Sequence, residues 1–175
     1  MSIIDLIIIT RVKTHNEERE NMSTPLRIYS DIVKPEWIDY NGHMTEAYYV
    51  LTFGFATEEF QSHVGGGEAY REHTGSSIYT VEAHINYLQE VKEGTPLNFS
   101  TQLLNFDEKR MHLFHEMIIG DEDILVATTE VVALHVDNQP KVTAMPEEIL
   151  EKLSAIYATH KDLPIPRNAG RSIGL

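Results

Sequence analysis

A short stretch that joins a carboxylate to an imidazole is the part of this sequence best suited to chemistry. Asp39, Gly42 and His43 lie within five residues of one another. The apolar segment from Glu46 to about His63 has no wide polar stripe, which predicts a helix buried inside the protein. Because a helix N-terminus presents unpaired N–H groups and a partial positive charge, this turn and helix could polarise a carbonyl group.

Structural roles compete with this interpretation. Aspartate is common in turns, and Thr45 is a candidate N-cap for the helix. Three glycines at 65–67 resemble a phosphate-binding loop only superficially, because they lack its lysine and its spacing, and they are typical of a flexible helix end. The neighbouring Gly42 and His43 favour a functional role for Asp39.

Composition limits the classes of partner. The chain of 175 residues has 14 basic and 27 acidic residues, a net charge of −13, which argues against nucleic acid and anionic membranes as partners. It contains no cysteine, which excludes thiol catalysis and cysteine metal sites and is compatible with a cytoplasmic protein. His112 and His115 fall on opposite faces of a strand, so we expect neither a metal nor another cofactor.

The remaining pattern predicts an α+β domain in which an antiparallel sheet wraps around the buried helix. One strand precedes the helix, four more follow from Ser77 to Val136, and an amphipathic helix begins near Pro146. Residues 1–22 are interpreted as an N-terminal extension outside the fold, residues 23–160 as the domain, and residues 161–175 as a loose C-terminal tail. The apolar run near the N-terminus is too short to span a bilayer.

This order of elements, with the Asp39-x-x-Gly42-His43 turn before the helix, resembles the hot-dog fold of the 4-hydroxybenzoyl-CoA thioesterase-like family. The resemblance runs from about Leu26 to Val136. Thr45 stands where family members commonly have asparagine, and Tyr49 matches a tyrosine further into the helix. Segments 37–44, 79–84 and 106–117 are similar to the thioesterases of carnitine breakdown, which implies betainyl-CoA as the substrate.

The resemblance implies roles for individual residues. Asp39 would be the nucleophile or general base, His43 would orient or polarise the acyl group, and backbone N–H groups of Gly42, His43 and Met44 would hold the oxyanion. Glu82 could be a second catalytic carboxylate brought by a partner chain, or could belong to a solvated face. Aromatic residues could form a cage for the quaternary ammonium, or could simply be core. The other expected substrate contacts are Trp37, Tyr40, Asn41, Thr45, Tyr48, Tyr49, Thr80 and His84.

The implied partners are an acyl-CoA substrate and a second copy of the chain, as a homodimer or tetramer. Basic residues expected to meet the CoA phosphates are Arg71, Lys92, Lys109 and Arg110. The predicted activity is hydrolysis of a short acyl-CoA thioester. The alternatives are a hot-dog hydratase or dehydratase and a non-catalytic acyl-CoA-binding protein.

Overall fold

The computed structural model describes residues 24–174, which form one five-stranded antiparallel sheet and three α-helices. In chain order the elements are β1 (Leu26–Ile32), a 3-10 turn (Pro35–Trp37), α1 (Glu46–Val64), α2 (Glu68–Thr74), β2 (Ser77–Tyr87), β3 (Pro96–Phe106), β4 (Arg110–Ile119), β5 (Ile124–Val136) and α3 (Glu147–His160). The strand order is β1-β3-β4-β5-β2, so β1 and β2 are the edges. The predicted extension, residues 1–22, lies outside the described residues.

Helix α1 packs across one face of the sheet. A fully buried imidazole joins the two layers: the His115 ring on β4 is 3.2 Å from the Thr57 hydroxyl on α1 and 2.9 Å from the Thr101 hydroxyl on β3. Because side chains alternate along a strand, His112 lies on the opposite, outer face, where it contacts Glu130 at 2.6 Å. This alternation fixes which strand residues can approach α1.

The central helix is less enclosed than its sequence predicts. Its buried side includes Phe53, Ala56 and Phe60, whereas Val50 and Leu51 remain exposed at 47% and 42%. The helix ends as predicted at Gly65, whose φ of +91° is the left-handed conformation that glycine adopts most readily. Thr45 occupies the N-cap position without a side-chain hydrogen bond. Apolar residues thus face outward on the side of the helix away from the core.

Two further features differ from the sequence interpretation. A bulge lies between Thr80 and Glu82 in the pairing of β2 with β5, so the expected alternation of the strand is interrupted at Val81. The C-terminal tail is not loose, because the Gly170 N–H donates to Glu130 at 2.7 Å on the outer face of the sheet. No helix among residues 24–174 has the length and apolar composition to cross a membrane.

Candidate active site

Asp39 lies in a tight turn that leads into α1. Its two carboxylate oxygens accept hydrogen bonds from Asn41, one from the backbone N–H at 2.8 Å and one from the side-chain amide at 3.2 Å. The Asp39 N–H donates to the His43 carbonyl at 3.0 Å, which closes the turn. Asn41 therefore holds the Asp39 carboxylate in the turn that precedes α1.

Of the three backbone donors expected for an oxyanion, two are already used. The Gly42 N–H donates to the Asp39 carbonyl at 3.0 Å, and the Met44 N–H donates to the Val91 carbonyl at 2.8 Å. The expectation that Gly42 and Met44 bind the oxyanion is therefore corrected. Among the hydrogen bonds of residues 24–174, the His43 N–H has no acceptor and stays available.

A cavity of about 320 Å³ opens directly beside this turn. It lies between the start of α1 and the segment at the end of β2, and its lining consists of His43, Met44, Glu46, Tyr49, Tyr87, Leu88, Gln89 and Glu90. The volume is near the lower end of small-molecule sites, which suits a short acyl group better than a long chain. The imidazole of His43 pairs with Glu90 at 3.0 Å at the rim.

Two tyrosines form the aromatic wall of the cavity. The rings of Tyr49 and Tyr87 meet edge to face, with 5.4 Å between their centroids, and the Tyr49 hydroxyl donates to the Gln89 carbonyl at 3.1 Å. Burial is the main cause that raises the pKa of Tyr87, and the neighbouring Glu46 carboxylate raises it further. The site therefore combines neutral phenol rings with carboxylates.

The expected aromatic cage is largely wrong in its members. Trp37 is 4% exposed, its ring stacks on Tyr48 with centroids 5.3 Å apart, and the Lys34 ammonium lies 4.7 Å from the Trp37 ring centroid. Tyr40 is 97% exposed and does not line the cavity. Within one chain, Tyr49 alone of the four aromatic residues proposed from sequence contributes to the cavity wall.

Glu82 and His84 lie on the outer face of the sheet, away from α1. His84 pairs across the strands with Glu130, which contacts the outward-facing His112, and Glu82 follows the same alternation. Within one chain, neither residue approaches the Asp39 turn. That Glu82 reaches a partner's Asp39 and that His84 contacts substrate both stay predictions.

Thr80 lies on the α1 side because the bulge changes its direction. It lines a second cavity of about 350 Å³ together with residues of α1 and α2, including Thr57, Glu58 and Arg71. The Arg71 guanidinium donates to the Gly75 carbonyl at the C-terminal end of the same helix. This second cavity belongs to the opposite end of β2 from the Asp39 turn.

The basic residues expected at CoA are divided between the two ends of the sheet. Lys92 follows Val91, whose carbonyl binds the N–H of Met44, so it lies at the end with the turn. Lys109 and Arg110 lie at the β3–β4 hairpin, about 30 Å away along a strand of ten residues. Arg110 is already paired with Asp107 at 2.6 Å. Within one chain, the structure does not bring these residues together.

Several cavity residues were missed from the sequence, namely Glu46, Tyr87, Gln89 and Glu90. Tyr87 is an aromatic residue at the end of β2, and a core role is the simplest interpretation of such a residue from sequence. Of these four, only Glu46 could have been found from the sequence. It is the first residue of the predicted helix, and a side chain at that position lies next to any site that the helix N-terminus forms.

Comparison with known proteins identifies the family. Residues 33–153 match the model of the thioesterase-like superfamily. A betainyl-CoA thioesterase from Pseudomonas aeruginosa is 39% identical, over 88% of this chain and 98% of that protein. A longer relative from Agrobacterium fabrum, an L-carnitine dehydrogenase/betainyl-CoA thioesterase, is 42% identical over 85% of this chain, which corresponds to 30% of its own length.

Solved structures agree with this assignment. A putative thioesterase from Pseudomonas putida is 34% identical, with a TM-score of 0.75 over 86% of this chain and 97% of that one. The Staphylococcus aureus protein SAV2348, solved in complex with CoA, is 25% identical with a TM-score of 0.80 over 87% and 97%. The predicted hot-dog fold class is confirmed. This chain therefore belongs to the thioesterase-like superfamily.

Proposed function

We propose that the protein hydrolyses betainyl-CoA to betaine and free CoA at the Asp39 turn. Thioesterase activity follows from membership of the family, and the choice of substrate is the proposal. The observation that carries it is a small cavity with aromatic and acidic walls next to a positioned carboxylate. The similarity to betainyl-CoA thioesterases supports the same substrate. Such a substrate would be met in the cytoplasm, where the protein is proposed to act.

In the proposed reaction, Asp39 accepts a proton as water attacks the thioester carbonyl. The developing oxyanion faces the free N–H of His43 at the positive end of α1. The C–S bond then breaks, and the CoA sulfur leaves with the proton that Asp39 received. In the covalent alternative, Asp39 attacks the carbonyl itself, the C–S bond breaks and CoA leaves as the thiolate. Water then hydrolyses the resulting mixed anhydride, which releases the acid and restores the Asp39 carboxylate. Asn41 would hold the carboxylate in place for either route.

We also propose that the working form is a homodimer joined through β2. This edge strand of eleven residues leaves Tyr79 and Val81 exposed at 42% and 54%, and an exposed edge with apolar side chains is normally covered. Two copies related by a two-fold axis perpendicular to the sheet run antiparallel at this edge. The hairpin and α2 of one copy would then approach the Asp39 turn of the other, which brings Arg71, Lys109 and Arg110 toward the CoA.

The test is release of CoA from betainyl-CoA, acetyl-CoA, a medium-chain acyl-CoA and an aromatic acyl-CoA, measured with a thiol reagent. The protein has no cysteine to react with the reagent. We expect betainyl-CoA to be the preferred substrate. Asp39→Asn keeps a side chain that supports the turn but removes the charge, so kcat should fall by about two to four orders of magnitude.

Asp137→Asn is the matched control, because Asp137 also accepts the N–H two residues ahead, from Gln139 at 2.9 Å, in a turn at the other end of the sheet. It should retain the parent's kcat. Full activity of Asp39→Asn would remove Asp39 from the mechanism. Preference for another acyl group would refute betainyl-CoA as the substrate but not the thioesterase activity. Absence of turnover with every thioester would favour a non-catalytic binding protein.

A further inference from the structure

We propose that the 320 Å³ cavity holds the quaternary ammonium of the substrate, with the Tyr87 ring and the Glu46 carboxylate as its specificity-determining contacts. This inference rests on the proposed function, and it assigns the charged end of the acyl group to residues that the catalytic turn does not include. The cavity begins at His43, so an acyl group whose carbonyl lies at the turn extends directly into it.

The chemistry of the cavity wall matches a trimethylammonium group. Such cations are held by aromatic faces, and a nearby carboxylate adds attraction without a hydrogen bond. Tyr49 is fixed by its hydrogen bond to the Gln89 carbonyl, whereas Tyr87 is half exposed and packs against Tyr49 edge to face. Tyr87 thus has ring surface that the protein leaves uncovered.

Glu46 supplies the uncompensated negative charge. Glu90, the other carboxylate of the lining, is paired with His43 at 3.0 Å. Glu46 forms no ion pair with any other residue in the described part of the chain, although it lines the cavity. An acidic residue at the first position of a helix also stabilises the helix dipole, so the experiment must separate that role from ligand binding.

The experiment compares betainyl-CoA with its neutral isostere 3,3-dimethylbutyryl-CoA, in which carbon replaces the nitrogen. The parent should prefer the cationic substrate. In Tyr87→Leu and Glu46→Gln, the ratio of the two kcat/KM values should fall about five- to ten-fold, with little change for the neutral substrate. Tyr87→Phe keeps the aromatic face and should keep the preference. Glu147→Gln, the matched change at the first residue of α3, should also keep it.

An equal fall in kcat/KM for both substrates would show that Tyr87 and Glu46 have a structural role and would overturn the inference. The proposal that the protein hydrolyses betainyl-CoA would still stand. A direct binding measurement tests the cation site independently of betainyl-CoA hydrolysis. Tetramethylammonium binding is followed by saturation-transfer NMR in the parent and in both variants. Signal in the parent that disappears in Tyr87→Leu and Glu46→Gln supports the cation site even if betainyl-CoA is not turned over. No signal in the parent, or equal signal in all three, refutes the site.

Discussion

The buried His115 should make the stability of this protein depend on pH between about 3 and 6.5. Complete burial lowers the pKa of His115 from 6.5 to about 3, because no charged group compensates the lost hydration of the imidazolium. The folded state therefore requires the neutral ring, whereas the unfolded chain binds a proton near pH 6.5. The contribution of His115 to stability is complete above pH 6.5 and is lost as the pH falls toward 3.

The magnitude follows from the difference between the two pKa values. At pH 4.5 the medium is two units below the unfolded pKa and still above the folded one. At about 1.4 kcal/mol per unit, the free energy of unfolding should be about 2.5 kcal/mol lower at pH 4.5 than at pH 7 through this residue alone. Carboxylates and net charge also contribute to the pH dependence of stability, so the measurement needs a reference protein that lacks the His115 imidazole.

His115→Gln provides that reference, because its amide has both a donor and an acceptor for the Thr57 and Thr101 hydroxyls. Urea denaturation of parent and variant at pH 7 and pH 4.5, at one protein concentration, gives four free energies of unfolding. The parent should lose about 2.5 kcal/mol more than the variant between the two pH values. His73→Gln, the same change at an exposed position, should follow the parent. Equal losses in parent and His115→Gln would refute the reasoning.

Two other predictions concern surfaces outside the site. Deletion of residues 162–175 removes the Gly170 N–H that donates to the partly buried Glu130, so the free energy of unfolding in urea should fall by about 1–3 kcal/mol. Deletion of residues 172–175 alone should leave the free energy of unfolding unchanged. An unchanged value for the longer deletion would contradict a stabilising tail. Val81→Lys places a charge on the exposed edge of β2 and should disrupt the dimer. Light scattering should give twice the chain mass of 20.0 kDa for the parent and the single-chain mass for the variant. A monomeric parent would contradict the dimer.

The elements were predictable because their signals are local. Four strands were expected from Ser77 to Val136, and β2 begins and β5 ends at those residues. The apolar segment after Glu46 identified α1 to within one residue. The bulge at Val81 left no such signal, because a single extra residue changes which face the strand presents without changing its composition. Thr80 and Glu82 therefore point to opposite faces, although they are two residues apart in the strand.

The site was predictable only in the part that is contiguous in sequence. Asp39 and His43 lie within one turn, so their spacing indicated them. Asn41 was expected as a substrate contact, and its two hydrogen bonds to Asp39 were not predicted. The cavity wall joins residues about forty positions apart, and no periodicity reports that Tyr87 meets Tyr49. Trp37 was misassigned for the same reason, since its stacking on Tyr48 depends on the path of the turn.

The positions of the basic residues relative to Asp39 were the feature least predictable from the sequence, because they depend on the geometry of the whole sheet. Lys109 and Arg110 belong to a hairpin at the far end of the sheet from Asp39, and α2 with Arg71 lies at that same far end. No rearrangement of one rigid sheet removes a separation of about 30 Å. An antiparallel pairing of two β2 edges does remove it, because the start of one strand then lies beside the end of the other. If CoA is bound through these residues, its site requires two copies of the chain, so Val81→Lys should raise the KM for acyl-CoA as it disrupts the dimer.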